Sequence, residues 1–418
     1  MNKWERKIKF QQNKSKYIKR GTIALSVVLL ILGVIYITYS RFESTQEYTL
    51  INGKIVGGGD ASIIAIYQGD TKVDSIPVKG SGYYFKNAEC SNGATASWDN
   101  IDWSLNVNTS GKTKCTLYFV QGTNAVTYIN NLGQTDTTNL IADGTSDNNL
   151  RYVGANPNNY VSFNGELWRI IGVMNNIKTA GGTTESLIKL IRNESLGVYS
   201  WDSSDSSIND GNGINQWGES NDYEGADLMR ELNNDYLGNI KVGTDGKWFK
   251  GDYNKKENMP NNKLSQATQS MIESVVWNLG NVRNSTSVND YYNSERSSSS
   301  NSGYSGITST TRWVGKVALI YPSDYGFSVS DGTMLSRATC LTNLDEWGFD
   351  YSDCMNNTWL NGYYWTITEE SQCVYIDSYG LGFSSNADDA DVRPSLYLKS
   401  SIAITGGEGT ESNPYTLG

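Results

Sequence analysis

Residues 21–40 form a run of twenty residues without a charge, and that run constrains the chain more than any other segment. As a helix rising about 1.5 Å per residue it reaches about 30 Å, the thickness of a bilayer's hydrocarbon core. Ahead of it, eight Lys or Arg (Lys3, Arg6, Lys7, Lys9, Lys14, Lys16, Lys19, Arg20) stand against one acid, Glu5. Cations flanking a first membrane helix are retained on the cytoplasmic side. The pattern predicts a transmembrane helix of the signal-anchor type, with the lipid bilayer as its partner. The expected topology is single-pass in the cell membrane, with the N-terminus cytoplasmic and the C-terminal region extracellular. A cleaved signal peptide fits less well, because its apolar stretch is usually about 7–15 residues. This run is longer and ends Tyr36-Ile-Thr-Tyr-Ser-Arg-Phe-Glu43, without an Ala-x-Ala site. A buried core helix and a pilin-type leader are the weaker readings, the latter because no early acid follows Lys19-Arg20-Gly21.

The chain carries a net charge of −10, so the part beyond the basic tail is strongly acidic. Phosphates are bound by positive surfaces, which argues against a nucleic-acid partner. There is no histidine. This excludes Ser-His-Asp and Cys-His nucleophile activation, a histidine base and the common histidine zinc sites. What survives as enzyme chemistry is a carboxylate pair, as in glycoside hydrolysis, or metal-assisted chemistry on oxygen ligands. Glu219, Glu224 and Glu369-Glu370 are the carboxylates available, and no spacing sets an acid opposite a nucleophile. The sequence therefore points away from catalysis.

Five cysteines suit an oxidising location when most are paired. Local spacing predicts Cys90 with Cys115 and Cys340 with Cys354, with Cys373 in an apolar, strand-like run as the alternative to Cys354. The chain divides as a basic tail at 1–20, the membrane helix at 21–40 and a spacer at 41–48. A small all-β module follows at 49–120, then a connector at 121–148 and a distal α+β domain at 149–418. In the module, strand-like runs at 61–67, 82–86, 94–98, 103–107 and 115–119 alternate with polar breaks. The connector opens with a short helix at 125–132. In the distal domain, Asn164-Gly165 marks a tight turn between strands, answered by a third strand at 187–192. Apolar spacing predicts flanking helices at 224–234 and 264–279. The Ser/Thr/Asn-rich stretch 284–312 reads as a long exposed loop.

The aromatic content suggests carbohydrate binding, since sugar faces stack on rings. Trp201, Trp217, Trp347, Trp359 and Trp365 lie beside polar or loop-rich sequence and are the candidate ligand-binding residues. Large aromatics also fill cores, which is the competing use. Asp388, Asp389 and Asp391 place three carboxylates within four positions, with calcium as the candidate cation. Asp202, Asp205 and Asp210 are a second acidic set. Arg393, just before Pro394 at the head of an apolar strand, is read as structural, its guanidinium tying neighbouring loops.

The segment Asn148-Asn-Leu-Arg-Tyr-Val-Gly-Ala-Asn-Pro-Asn-Asn-Tyr-Val-Ser-Phe-Asn-Gly-Glu-Leu-Trp-Arg-Ile-Ile-Gly-Val173 carries a resemblance. With Tyr321-Pro-Ser-Asp-Tyr-Gly326, Trp365-Thr366, Val392-Arg-Pro394 and Ser412-Asn-Pro-Tyr-Thr-Leu417 it resembles a broad group of uncharacterised exported or membrane-anchored proteins of Firmicutes-like bacteria. The carboxy-terminal order of a Trp-Thr strand, an exposed strand and an Arg-Pro strand is distantly similar to bacterial C-type-lectin-like domains. That resemblance implies a sheet core with flanking helices and long ligand-facing loops, though fold alone does not set function. The expectation is a cell-surface protein displaying a non-catalytic recognition domain for glycans or proteins, or else a structural envelope component.

Overall fold

A computed structural model of the chain describes residues 54–99, 103–202, 217–218, 225–238, 246–250, 255–258, 263–280, 287–298, 310–342, 352–369, 373–377, 380–384 and 388–418, with 4, 6–8, 11, 13–14 and 25–31 near the amino terminus. It is an α+β chain of several sheets.

Strict alternation builds the first unit. In Lys112–Gln121 the residues Thr113, Cys115, Leu117 and Phe119 are buried and their neighbours are not, the period-two signature of a strand with one face on a core. This strand lies in a four-stranded sheet ordered Thr71–Val73, Asp60–Gln68, Lys112–Gln121 and Tyr83–Cys90. A second sheet of Lys54–Val56, Ser104–Asn108 and Thr95–Asp99 shares its core, where Ile63, Ile66, Trp98, Leu105, Val107, Leu117 and Phe119 cluster. Cys90 and Cys115 are opposed in register and form a disulfide.

The distal part opens with the helix Ala125–Gly133, capped by Asn124, whose side chain accepts from the Thr127 amide at 3.2 Å. Asn164 and Gly165 take φ of 58° and 73°, the doubly positive turn that lets Tyr160–Phe163 fold back on Glu166–Lys178. The main sheet then runs Ile272–Glu273, Ser395–Leu398, Thr184–Arg192, Glu166–Lys178, Leu150–Tyr152 and Leu140–Ala142. Val317–Ala318 adds to Ser395–Leu398 and Tyr160–Phe163 to Glu166–Lys178. A second, five-stranded sheet is ordered Val198–Ser200, Asp389–Asp391, Tyr364–Glu369, Cys373–Asp377 and Gly380–Ser384. Ala403–Gly406 pairs with both Thr123–Asn124 and Thr416–Leu417, bringing the two ends of this unit together.

Several expectations change. Among the described residues the run 21–40 gives no spanning helix. Its described residues, 25–31, are helical, a length of only about 10 Å. Among the described residues no helix is long and apolar enough to cross a membrane. The remainder of the run lies outside the described residues. The signal-anchor reading is corrected accordingly, and with it the lipid bilayer as partner, the single-pass topology and the extracellular placement of the C-terminal region.

The helix expected at 264–279 stops at Met271. Ile272–Glu273 and Val275–Asn278 are strands, paired with Ser395–Leu398 and Arg312–Gly315. β-Branched Ile272, Val275 and Val276 favour that outcome. Within 284–312 the structure forms a helix, Val288–Glu295, burying Val288, Tyr291, Tyr292 and Glu295 along one face. The helix expected at 224–234 is present as Asp227–Glu231, continued by a π-helical turn, Leu232–Tyr236.

Candidate functional site

The segment 352–363 is short of regular structure and is held by specific polar bonds. Cys354, in the turn Ser352–Met355, is joined by a disulfide to Cys340 in Arg337–Thr342. Beside it the Asp353 carboxylate accepts from the amides of Thr333, Met334 and Leu335 at 3.0, 3.1 and 2.8 Å, and from the Thr333 hydroxyl at 2.7 Å. The Leu335 amide and the Thr333 hydroxyl lead in stabilising its charged form, which lowers the carboxyl to about 2. Removing the disulfide as Cys340→Ser/Cys354→Ser should release about 3 kcal/mol of loop-closure entropy to the unfolded chain. Hydrogen exchange should then rise across 331–342 and 352–357 and leave the small module unchanged. Equal protection in both forms would contradict this.

From this anchor the chain reaches Gly362, whose φ of 151° is a conformation that side-chain-bearing residues rarely adopt. Two consecutive tyrosines follow the bend, one exposed and one buried. Tyr364 enters the core, donating its hydroxyl to the Leu360 carbonyl, with the Arg393 guanidinium 4.9 Å from its ring centre. Tyr363 stays outside at 44% exposure. Its ring meets that of Tyr375 edge-on at 5.1 Å, and its hydroxyl donates to the Asp389 carbonyl at 3.3 Å. Tyr375 in turn lies over Gly382 of the next strand, where a Cβ would fall 2.3 Å from the ring. A side chain at 382 would displace the ring that props Tyr363.

An open groove of about 490 Å³ lies against Tyr363, lined also by Met355, Asn356, Asn361, Gly362 and Asp377. Burial, then Tyr375 and the carboxylates of Asp388, Asp377 and Asp389, raise the Tyr363 phenol above its ordinary value. Burial followed by Asp377 and Asp388 does the same to Tyr375. The groove thus combines one aromatic face, amides that can both donate and accept, and a negative local field. That set suits a polar ligand that is neutral or positively charged. A second cavity of about 350 Å³, between Thr95–Ser97, Asn106–Asn108 and Ser265–Ala267, is lined by small and amide side chains.

The residues singled out from sequence fall elsewhere. Trp201, Trp217 and Trp365 are fully buried and Trp359 is 6% exposed, while Trp347 lies outside the described residues. Their indole nitrogens are committed to the fold where a bond forms: Trp365 donates to the Tyr199 carbonyl at 2.8 Å, Trp201 to Thr366 at 3.0 Å and Trp359 to Tyr152 at 3.0 Å. None of these four offers a ring face to a sugar. Asp389–Asp391 is a strand whose Ala390 faces inward. Asp389 accepts from Ser200 at 3.1 Å and Asp388 from Ser384. Among the described residues no three acidic or thiol groups come together to hold a metal, so the Asp388, Asp389 and Asp391 set does not form the calcium cage its spacing suggested.

Asp202 is buried, and Asp205 and Asp210 lie outside the described residues, as do Glu219, Glu224 and Glu370. Of Glu369 only the backbone is described. Arg393 is buried and its Nε donates to the Arg192 carbonyl at 3.0 Å, tying two core strands. Tyr363, Tyr375, Asn356 and Asn361 were not picked from sequence. The available signal was Asn361-Gly362, a turn dipeptide directly before three aromatics.

Compared with protein-family models, curated proteins and solved structures, the chain matches none.

Proposed function

We propose that this chain is a non-catalytic recognition protein whose distal domain binds a neutral or amine-bearing glycan in the groove beside Tyr363. The observation that carries this reading is the exposed Tyr363 ring, fixed edge-on by Tyr375 and bordered by Asn356, Asn361 and Asp377. A sugar's C–H face stacks on such a ring, while amide and carboxylate groups bond its hydroxyls. The carboxylates around the tyrosines disfavour acidic sugars. The absence of histidine from the sequence closes imidazole-based hydrolysis, which favours a binding role.

Titration of neutral, amino and acidic oligosaccharides by calorimetry tests it. Neutral or amino sugars should bind, and Tyr363→Ala should cost about 2 kcal/mol, as for a central aromatic anchor, which is about thirty-fold in Kd. The variant's thermal stability should remain that of the parent, because an exposed ring adds little to folding. Equal affinity in parent and variant would overturn the reading. So would binding confined to protein partners.

A further inference from the structure

A buried cluster of charges joins the main sheet to the helix Pro322–Phe327, and none of its members lines the groove. Lys189, on Thr184–Arg192, and Asp324, in the first turn of Pro322–Phe327, each have side chains only 1% exposed. The Lys189 ammonium lies 2.5 Å from Asp324 Oδ2. Arg151 Nη1 donates to the other carboxylate oxygen, Oδ1, at 2.7 Å, and the Tyr321 amide donates to Oδ2 at 3.0 Å. Around the ammonium stand the rings of Tyr321, Trp277 and Tyr397, with centres at 4.3, 5.1 and 5.4 Å. Among the described residues Asp324 supplies the hydrogen-bond acceptor for an ammonium that carries three protons.

The geometry points to an intramolecular amide between Lys189 Nζ and Asp324 Cγ, formed by the folded chain itself with loss of one water. The pair meets the requirements of that condensation. A nucleophilic nitrogen sits against the carboxyl, water is excluded by three aromatic rings, and a guanidinium stands at the oxygen where negative charge collects. In the step, Nζ passes a proton to Oδ2 and its freed electron pair attacks Cγ. Arg151 stabilises the charge that develops on Oδ1, as an oxyanion donor does. The Cγ–Oδ2 bond then breaks and Oδ2 leaves as water. Of the three Nζ protons, two depart with Oδ2 and one stays on the amide, with no oxidant or cofactor required.

The surrounding charges favour the product. Two buried cations, Arg151 and Lys189, share Asp324, while Arg151 Nε is also paired with Asp143 at 2.8 Å. Condensation removes one positive and one negative charge from a site where each is costly to desolvate, and leaves the Arg151–Asp143 pair intact. Burial, partly opposed by Asp324, pushes the Lys189 amine down to about 8, while Lys189 and Arg151 outweigh burial at Asp324 and hold its carboxyl below the ordinary value, so the step starts from the ion pair and the passage of a proton from Nζ to Oδ2 is its uphill part. Next along the chain, Ser323 donates its amide and hydroxyl to the buried Glu295 carboxylate at 2.9 and 2.5 Å, which fixes the approach of the helix that carries Asp324. The link would join positions 135 residues apart.

Mass spectrometry of the purified full chain decides this. The intact mass, after allowance for the disulfides, should fall short of the sequence mass by one water. Proteolysis should release a branched peptide joining the segments that contain Lys189 and Asp324 in most molecules. Lys189→Arg, which keeps the charge but lacks the amine, should regain the mass of that water. Should that variant fail to fold, the branched peptide from the parent chain still decides. Recovery of Lys189 and Asp324 mainly in separate linear peptides of unaltered mass would overturn the proposal.

Discussion

Asp143→Ala is expected to lower the stability of the distal domain by about 3–5 kcal/mol, because it strips the partner from a buried cation and from buried amides at once. Asp143 follows the strand Leu140–Ala142 and is fully enclosed. Its Oδ1 accepts from the Thr145 amide, the Thr145 hydroxyl and the Asn149 amide at 3.0, 2.8 and 3.1 Å. Its Oδ2 accepts from Asn149 Nδ2 and Arg151 Nε, both at 2.8 Å. Alanine satisfies none of these donors. Burial by itself would raise the carboxyl, but Arg151, with Asn149 and Thr145, outweighs it and the group is held below its ordinary value.

A carboxyl lowered on folding contributes stability that is complete above its unfolded pKa of about 3.9 and is lost as pH falls through the folded value. The gap between parent and Asp143→Ala in urea melts should therefore be full at pH 7 and narrow below about pH 4. A gap under about 1 kcal/mol at pH 7 would show that Arg151 does not depend on this partner. The amide proposed between Lys189 and Asp324 would leave Asp143 as the charged partner of Arg151, so the expected loss is no smaller in the linked chain.

Trp365→Ala should cost about 3–5 kcal/mol, the range for removing a large aromatic from a packed core. Trp365 is fully buried, meets Tyr375 edge-on at 6.0 Å and donates to the Tyr199 carbonyl at 2.8 Å. Its loss opens a cavity behind the tyrosine pair and orphans a carbonyl. Glycan affinity should fall too, but only together with the melting temperature. Tyr363→Ala, two positions earlier, should show the reverse, with binding lost and stability kept. A Trp365→Ala chain that melts like the parent but no longer binds would return Trp365 to the role its sequence context suggested, a stacking platform.

The contrast between these neighbours shows how far the site was legible. Trp359, Tyr363 and Trp365 all sit in polar, turn-rich sequence, and nothing in their order separates a ring that faces solvent from one that faces the core. The separation is made by the partners the fold supplies: the Tyr375 ring reaches Tyr363 from another strand, while the Tyr199 and Tyr152 carbonyls take the indoles of Trp365 and Trp359. The meander around Asn164-Gly165 was legible because its partners are adjacent and its turn needs two residues that tolerate positive φ. The segment 264–279 was not. Leu264, Ala267, Met271, Val275 and Leu279 fit a helical stripe, yet the strand Val275–Asn278 forms because Arg312–Gly315 is there to pair with it. In 284–312, the spacing of Val288, Tyr291, Tyr292 and Glu295 was visible beneath a polar composition that masked it.

By itself, the sequence determined what depends on composition and near neighbours. Without histidine, the chemistry that needs an imidazole is closed, and the net charge is fixed at −10. Alternating apolar residues produce the half-buried strands of the small module. The rest was decided by tertiary structure, because burial and charge pairing depend on residues distant along the chain. It placed four tryptophans inside and one tyrosine outside, kept three aspartates from assembling as a cage, and set Lys189 against Asp324 across a dry, aromatic-walled site. A side chain's chemistry is written in its own atoms, but whether it meets water, a ring or an opposite charge is set by what the fold brings beside it.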